Sequence, residues 1–201
     1  MNIVVCNDMH SSIRHFREIA EKSRKASLVI CAGDVSMFGR KLKKIISMFD
    51  RLDKPVLMIP GNHEEKKVLK KLCSSSRNVI YAEGKYFVFN NIVIFLYSAD
   101  GFSYYDKAFE KKADRFYTEL KKARRKNNVK YVFVSHAPPY NTKLDIVAGE
   151  HVGSISVKNF IIKSNPVLSV HGHIHPCFGK SDRIKNTRAI NAGPWGRIIR
   201  L

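Results

Sequence analysis

The sequence predicts an α/β fold with a parallel sheet and a second, partly antiparallel layer, and three observations carry that prediction. Short apolar runs alternate with amphipathic stretches in the order βαβαβ near the start of the chain, which calls for right-handed crossovers and a parallel sheet. Two strand-like runs, 86–90 and 92–97, flank Asn90-Asn91, a hairpin signal. Five apolar runs also end in side chains able to hold a metal, and open α/β sheets bind ligands at the carboxyl ends of their strands. At 201 residues the chain fits a single domain over 1–201, long enough to bury roughly 70% of its unfolded surface.

Each element has its own warrant. Residues 2–6 are a near-continuous apolar run, the pattern of a strand covered on both faces. Ser11 or Ser12 can cap a helix over 13–25, with Ile13, Phe16, Ile19 and Ala20 on one face and His15 on the solvated side. Residues 27–32 are the second strand, and 41–51 a helix with Leu42, Ile45, Ile46 and Phe49 inward. The third strand, 55–59, leads to a helix over 64–73 whose inner face is Val68, Leu69 and Leu72. Beyond the hairpin, 107–126 reads as a long basic helix with Phe109, Ala113, Phe116, Tyr117 and Leu120 on one side. Residues 131–134 and 167–170 are strands separated by a loop and a helix near 157–162, and 188–191 and 198–201 close the chain. There is no internal repeat, linker or low-complexity segment.

Charge is the unusual part of the composition. Lys and Arg number 36 against 17 Asp and Glu, a net +19, while the 44% hydrophobic content is ordinary. Such a balance favours anionic partners (phosphates, nucleic acid, acidic lipid) or a solvated lysine-rich surface. Cys6, Cys31, Cys73 and Cys177 lack CxxC spacing, and Cys6 and Cys31 fall inside core strands. That usage points to a reducing compartment and not to a disulfide framework. No run approaches the roughly 20 apolar residues of a membrane span, and the N-terminus reads as a strand instead of a signal peptide. The expected location is cytoplasmic, with no membrane partner.

The chemistry gathers where strands end. His171-Gly172-His173-Ile174-His175 follows the apolar strand 167–170. Residues two apart in an extended chain point the same way, so these three histidines are expected to share a direction. Gly172, without a Cβ, lets another group approach the backbone. Neutral imidazole ligates zinc, iron, manganese and nickel; the other reading of this stretch alone is a polar loop with three surface histidines. Four further strand ends supply partners: Asp8 and His10, then Gly33-Asp34, then Gly61-Asn62-His63-Glu64, then His136.

Asp8-Met9-His10, Gly33-Asp34, Gly61-Asn62-His63-Glu64, His136 and Gly172-His173-Ile174-His175 resemble, in this order, the five motifs of the calcineurin-like metallophosphoesterase superfamily. The resemblance spans residues 8–175. It implies a two-sheet mixed β-sandwich flanked by helices, layered α-β-β-α. It also implies a binuclear centre with Asp8, His10 and His175 on one metal, Asn62, His136 and His173 on the other, and Asp34 bridging. Two divalent ions are implied, manganese first, with iron, zinc or nickel as alternatives. Cations roughly 3.5–4 Å apart need an anionic bridge, and a ligand set with only Asp8 and Asp34 as acids stays receptive to phosphate.

The activity the resemblance implies is phosphoester hydrolysis through attack by a metal-bridging hydroxide. His63, outside the ligand set, would face the leaving group and stabilise or protonate it. In the protein-phosphatase branch an acid three positions after the bridging aspartate orients this histidine; here that position is Met37. The stretch Gly33-Asp34-Val35-Ser36-Met37-Phe38-Gly39 likewise departs from Gly-Asp-x-x-Asp-Arg-Gly. That departure argues against phosphoproteins and for a small phosphorylated substrate, a phosphodiester above all.

Other positions are read more loosely. Glu64 is expected to support a ligand from behind or to begin the next helix. Residues 150–154 and 191–194 resemble segments near the site in small prokaryotic members. His151 then either touches substrate or is a loop residue, and Cys177 either approaches the metals or is an inert thiol. Two alternatives to the phosphodiesterase stand. One is a nuclease acting on nucleic acid, suggested by the +19 charge, although 201 residues leave little room for the added domain of the family's dedicated nucleases. The other is a non-catalytic metal-binding scaffold, a state reached in this fold by losing ligands or the catalytic histidine.

Overall fold

The computed structural model describes residues 1–126 and 129–201. Its first half runs β1 (Asn2–Cys6), α1 (Ile13–Ser23), β2 (Leu28–Ala32), α2 (Leu42–Asp50), β3 (Val56–Ile59), α3 (Lys66–Ser74), β4 (Val79–Tyr81), β5 (Lys85–Phe89) and β6 (Ile92–Leu96). The second runs α4 (Lys107–Lys126), β7 (Lys130–Val134), β8 (Ile146–Val147), β9 (Glu150–His151), α5 (Ile155–Ser164) and β10 (Leu168–His171). A short 3-10 turn, His175–Cys177, then leads to β11 (Ser181–Ile184), β12 (Thr187–Asn191) and β13 (Arg197–Arg200).

The strands form two mixed sheets, ordered β13-β1-β2-β3-β4 and β11-β12-β10-β7-β6-β5. Strands β1 to β4 are parallel, with β13 antiparallel on the β1 edge. In the second sheet β12, β10, β7 and β6 are parallel, while β11 and β5 close the edges antiparallel. The predicted hairpin is the β5–β6 pair.

Alternation along the strands explains the layering. Ile3, Val5, Leu28, Ile30 and Leu57 face one way and meet Ile94, Leu96, Val132, Val134 and Val170 of the other sheet, which makes the central core. The opposite face of the first sheet, including Val4, Val29 and Met58, packs on Phe16 and Ile19 of α1, Ile45 and Phe49 of α2 and Leu69 of α3. Phe95 and Phe133 turn outward from the second sheet onto Phe109 and Phe116 of α4 and Phe160 of α5. The order is therefore α-β-β-α, as the family resemblance implied. No helix among the described residues is long and apolar enough to cross a membrane.

Most departures from expectation have a local cause. Ser12 caps α1, its side chain accepting from the His15 amide, but His15 is half-buried against Trp195 instead of solvated. Helix α3 begins at Lys66, not at 64, because the Glu64 carboxylate is drawn back onto the amides of Asp34, Ser36 and Gly61. Its inner face is Leu69 and Cys73; Val68 is exposed and Leu72 only half-buried. Strands β4, β8 and β9 have only two or three residues, too few to show alternation, and β11 (Ser-Asp-Arg-Ile) has a single apolar residue, so the sequence does not mark them.

His171 corrects a further expectation. It ends β10 fully buried, with Nδ1 near the Ser135 hydroxyl and the Ala137 carbonyl. The extended geometry stops there, because His173 has φ +70° and His175 opens the 3-10 turn, so the i, i+2 rule does not carry His171 into the cluster. Burial pushes its pKa down to about 3, which keeps it neutral.

Candidate metal centre

In a parallel sheet every strand delivers its carboxyl end to the same edge. Strands β1, β2 and β3 bring Asp8 and His10, Asp34, and Asn62 and His63 there; β7 and β10 bring His136, His173 and His175 from the facing sheet. Polar bonds tie the two sheets together at this edge. The His173 amide donates to both Asp8 oxygens, 3.0 and 3.2 Å, and His136 Nδ1 donates to the Ala32 carbonyl at 2.8 Å. A carbonyl only accepts, so Nδ1 carries the hydrogen and Nε2 of His136 is left for the site.

The side chains converge in two groups. In one, His10 Nε2 and His175 Nε2 stand 2.9 Å apart, with Asp8 Oδ1 3.8 Å from the latter. In the other, Asn62 Oδ1 lies 2.9 Å from His173 Nδ1 and 3.1 Å from His136 Nε2. Asp34 stands between them. One of its oxygens is 3.5 Å from His136 Nε2, and it shares sets of donor atoms within 4.8 Å with both His10 and His136. Asp8, Asp34 and His136 are buried, whereas Asn62 and His175 are exposed, so the cluster has a closed floor and an open top.

Backbone strain gathers here too. Asp8, His10, Asp34 and His173 all have positive φ, between 47° and 70°. Asp and His are among the residues that tolerate this region best, and such conformations concentrate at functional sites. Close approach needs glycine: a Cβ on Gly172 would stand 2.8 Å from Asp8 Oδ2.

The electrostatics follow from burial and from the paired charges. Burial raises the Asp8 pKa, with His136 and the Asn7 amide working against it. Burial also works to raise Asp34, but the hydrogen bond and charge of His136 outweigh it and hold that carboxyl below the usual range. Burial disfavours charge on His136, yet Asp34 and Asp8 overcome it and raise its pKa to about 9. His173 goes the other way, down to about 4, through burial and the nearby His136.

His63 lies at the edge of the cluster, Nε2 3.8 Å from Asp34 Oδ2 and its ring centroid 4.7 Å from that of His10. It shares one set of donor atoms within 4.8 Å with His10 and Asp34. Where the resemblance leaves no carboxylate behind His63, the backbone stands in: the Phe38 amide donates to Nδ1 at 3.3 Å, and the Phe38 ring packs against the imidazole at 4.1 Å. An accepting Nδ1 puts the ring hydrogen on Nε2, facing the site. The His63 amide in turn donates to Asp34 Oδ1 at 2.9 Å.

Behind the cluster, Glu64 takes the supporting place expected of it, and other supports join it. Glu64 is buried, and besides its three amides accepts from the Ser36 hydroxyl, so it fastens the Asp34 loop to the Gly61 loop. Burial raises its pKa against those donors. Asn7 donates to Asp8 Oδ2 at 2.6 Å and to Asn191 Oδ1 at 2.9 Å, which places Asn191 behind the metal ligands. For Asn191 the signal was the resemblance of 191–194 to segments near the site; Phe38 had none. Cys177 is buried, its thiol turned to the Ile146 carbonyl at 3.6 Å and away from the donor set.

Comparison with known proteins agrees with this architecture. A family profile described as calcineurin-like phosphoesterase matches residues 1–177. The uncharacterized protein MJ1162 of Methanocaldococcus jannaschii is 32% identical over 212 residues, covering 99% of this chain and 91% of its own. Among solved structures, the phosphopantetheinyl hydrolase PptH of Mycobacterium tuberculosis superposes with TM-score 0.69 at 17% identity, over 98% of this chain and 95% of that one. A dimetal phosphatase of Danio rerio gives TM-score 0.70 at 12% identity, over 95% and 86%. At those identities the structural likeness speaks to the fold alone.

Proposed function

The chain belongs to the calcineurin-like phosphoesterase family, and on that premise we propose that it is a two-metal hydrolase of phosphodiesters. The observation that carries the proposal is the pair of donor groups either side of Asp34. Imidazole, amide oxygen and carboxylate suit divalent first-row ions, and donor atoms within 4.8 Å of one another suit a cation between them. In this reading Asp8, His10 and His175 would hold one ion, Asn62, His136 and His173 the other, and Asp34 would serve both, with manganese as the working metal. Bound ions of this kind supply Lewis acidity toward the phosphoryl oxygens and a water acidic enough to attack near neutral pH.

The chain's own residues do the rest. Asp34 Oδ1 accepts from the His63 amide, which leaves Oδ2, 3.5 Å from His136 Nε2 and 3.8 Å from His63 Nε2, turned to the cluster. His136 is held by Ala32 and His10 Nδ1 by the Ser36 carbonyl at 3.3 Å, so both rings present Nε2 inward. His63, with hydrogen on Nε2, donates to the oxygen of the departing group. Asn7 and Glu64 hold Asp8 and Asp34 from behind. The whole of 1–201 then acts as one domain, and four free, buried cysteines accord with a cytoplasmic setting.

Diesters are preferred to phosphoproteins because residues 33–39 lack the acid and arginine of that branch. A scaffold role is disfavoured because the proposed ligands and His63 are all retained. The test is a panel of phosphomonoesters, linear and cyclic diesters and oligonucleotides, assayed with manganese, with a chelator, and with Asp34→Ala. Diester hydrolysis that the chelator abolishes and manganese restores is expected, and Asp34→Ala should lose at least one of two bound ions. Two ions bound with no hydrolysis across the panel would favour the scaffold.

A further inference from the structure

One carboxylate–imidazole pair has no part in the reading above. Asp145 is fully buried, and both its oxygens are engaged. Oδ1 accepts from the Thr142 amide at 2.9 Å and from His151 Nδ1 at 2.8 Å; Oδ2 accepts from the amides of Asn141 and Gly153, each at 3.0 Å. With Nδ1 committed as a donor, His151 has a single free nitrogen, Nε2. The His151 side chain keeps 33% of its surface in solvent while its partner has none. The ring is thus open to a ligand and cannot turn freely.

The segments packed around His151 lead to the metal centre. Across the β8–β9 pair His151 faces Ile146, whose carbonyl holds Cys177, two residues beyond His175. On another side the Tyr104 hydroxyl reaches the His151 carbonyl at 3.4 Å, and the same loop sets Phe102 edge-on to the His173 ring at 4.9 Å. Tyr140, in the segment that follows His136, stands edge-on to His151 at 5.9 Å, and Pro138 accepts from the Ser154 amide at 2.8 Å. His151 is thus linked directly to the segment that bears His136, and through Ile146 and the Tyr104 loop to the one that bears His173 and His175.

We propose that His151 is a substrate-contact residue whose Nε2 holds a phosphoryl oxygen of the phosphoester, with Asp145 setting the ring for that contact. This rests on the phosphoesterase reading and decides between the two roles that the sequence left open for His151. Nδ1 donates to Asp145, so a second hydrogen bond, from Nε2 to a phosphoryl oxygen, has the ring bind as the imidazolium. The contact is then a charge-assisted hydrogen bond, and a rigid donor loses less freedom on binding than a mobile lysine.

Two variants separate contact from scaffolding in the protein loaded with zinc, a diamagnetic ion that the same donor types accept. The side-chain amide of His151→Asn can keep the bond to Asp145 but has nothing where Nε2 stood; that of His151→Gln can reach toward the Nε2 position. His151→Asn should melt like the wild type yet bind inorganic phosphate roughly ten- to a hundredfold more weakly, the usual worth of one charge-assisted bond. Its KM for bis-nitrophenyl phosphate should rise more than its kcat falls, and His151→Gln should recover part of the loss. In the wild type, titration with inorganic phosphate should shift the nitrogen resonance of His151 Nε2. Unchanged phosphate affinity and KM in His151→Asn, or no shift of that resonance, would overturn the inference. A protein that hydrolyses no phosphoester but shows the shift would instead overturn the phosphoesterase reading and leave the contact standing.

Discussion

At Gly61 an added Cβ would stand 2.0 Å from Asp34 Oδ1 and 2.7 Å from the Asp34 nitrogen, so the site depends on a residue with no side chain. Overpacking of this sort typically costs about 1–3 kcal/mol, and here the atoms that must move are those of the proposed bridging carboxylate. Gly61→Ala should lower both melting temperature and bound metal; a variant that melts lower yet keeps two ions would show that Asp34 can be displaced harmlessly. His63 is the complementary case, since its proposed role is chemical. His63→Asn should keep both ions by elemental analysis and lose roughly 10²–10⁴ in kcat. The loss should shrink for a nitrophenyl leaving group, which needs little protonation. Loss of an ion on that substitution would make His63 a ligand instead, as its distance from Asp34 allows.

Among the elements, the end of α2 shows how a charge can hold a connection in place. Asp50, its last residue, accepts from the Ser76 hydroxyl and from the Asn78 amide at 2.6 Å, while Asn78 Nδ2 donates to the Asp50 carbonyl at 2.7 Å. A carboxylate is unfavourable at a helix C-terminus; these donors offset that and fasten the turn leading into β4. The Ser76 bond first, and the Asn78 amide next, hold the Asp50 pKa below its ordinary 3.8. A lowered folded-state pKa stabilises fully above the unfolded value and is lost as pH falls through the folded one. Asp50→Ala should therefore be less stable than the wild type at neutral pH, and the gap should close below about pH 4. Melts of the two proteins across that range measure it; a gap independent of pH would mean that the carboxylate charge is not its source.

For the molecule as a whole, the open question is what the +19 charge serves. Lys121, Lys122 and Arg124 lie near the C-terminal end of α4, and Lys130 opens β7, so this cluster sits at the sheet edge opposite His136. Arg124 is in part occupied, donating to the carbonyls of Ser164 and Asn165. The side chains of Arg125 and Lys126, counted with this cluster from the sequence, lie outside the described residues. A nuclease would need a basic track reaching the metals, and its activity would fall steeply with salt. Small diesters should instead be the better substrates, with turnover nearly flat in salt. Efficient oligonucleotide cleavage abolished by roughly 0.2 M salt would reverse that choice.

The sequence by itself determined the architecture and the gathering of the cluster. Binary patterning sets which face each strand and helix buries; α4 falls at 107–126 as its spacing of Phe109, Ala113, Phe116 and Leu120 requires, and parallel strands can only deliver their ends to one edge. The strand ends together with the family resemblance made Asp8, His10, Asp34, Asn62, His63, His136, His173 and His175 legible as neighbours before any coordinates. Only the tertiary structure decided what stands behind them. His171 shares the motif of His173 yet is buried away from the cluster, because the chain leaves the extended state after it. The Phe38 amide on His63, the Glu64 tie between two loops and the Asp145–His151 pair are contacts between segments whose separation carries no period. Periodicity reports which way a side chain faces along its own element; which distant group meets it is settled only when two sheets pack and their loops close over one edge.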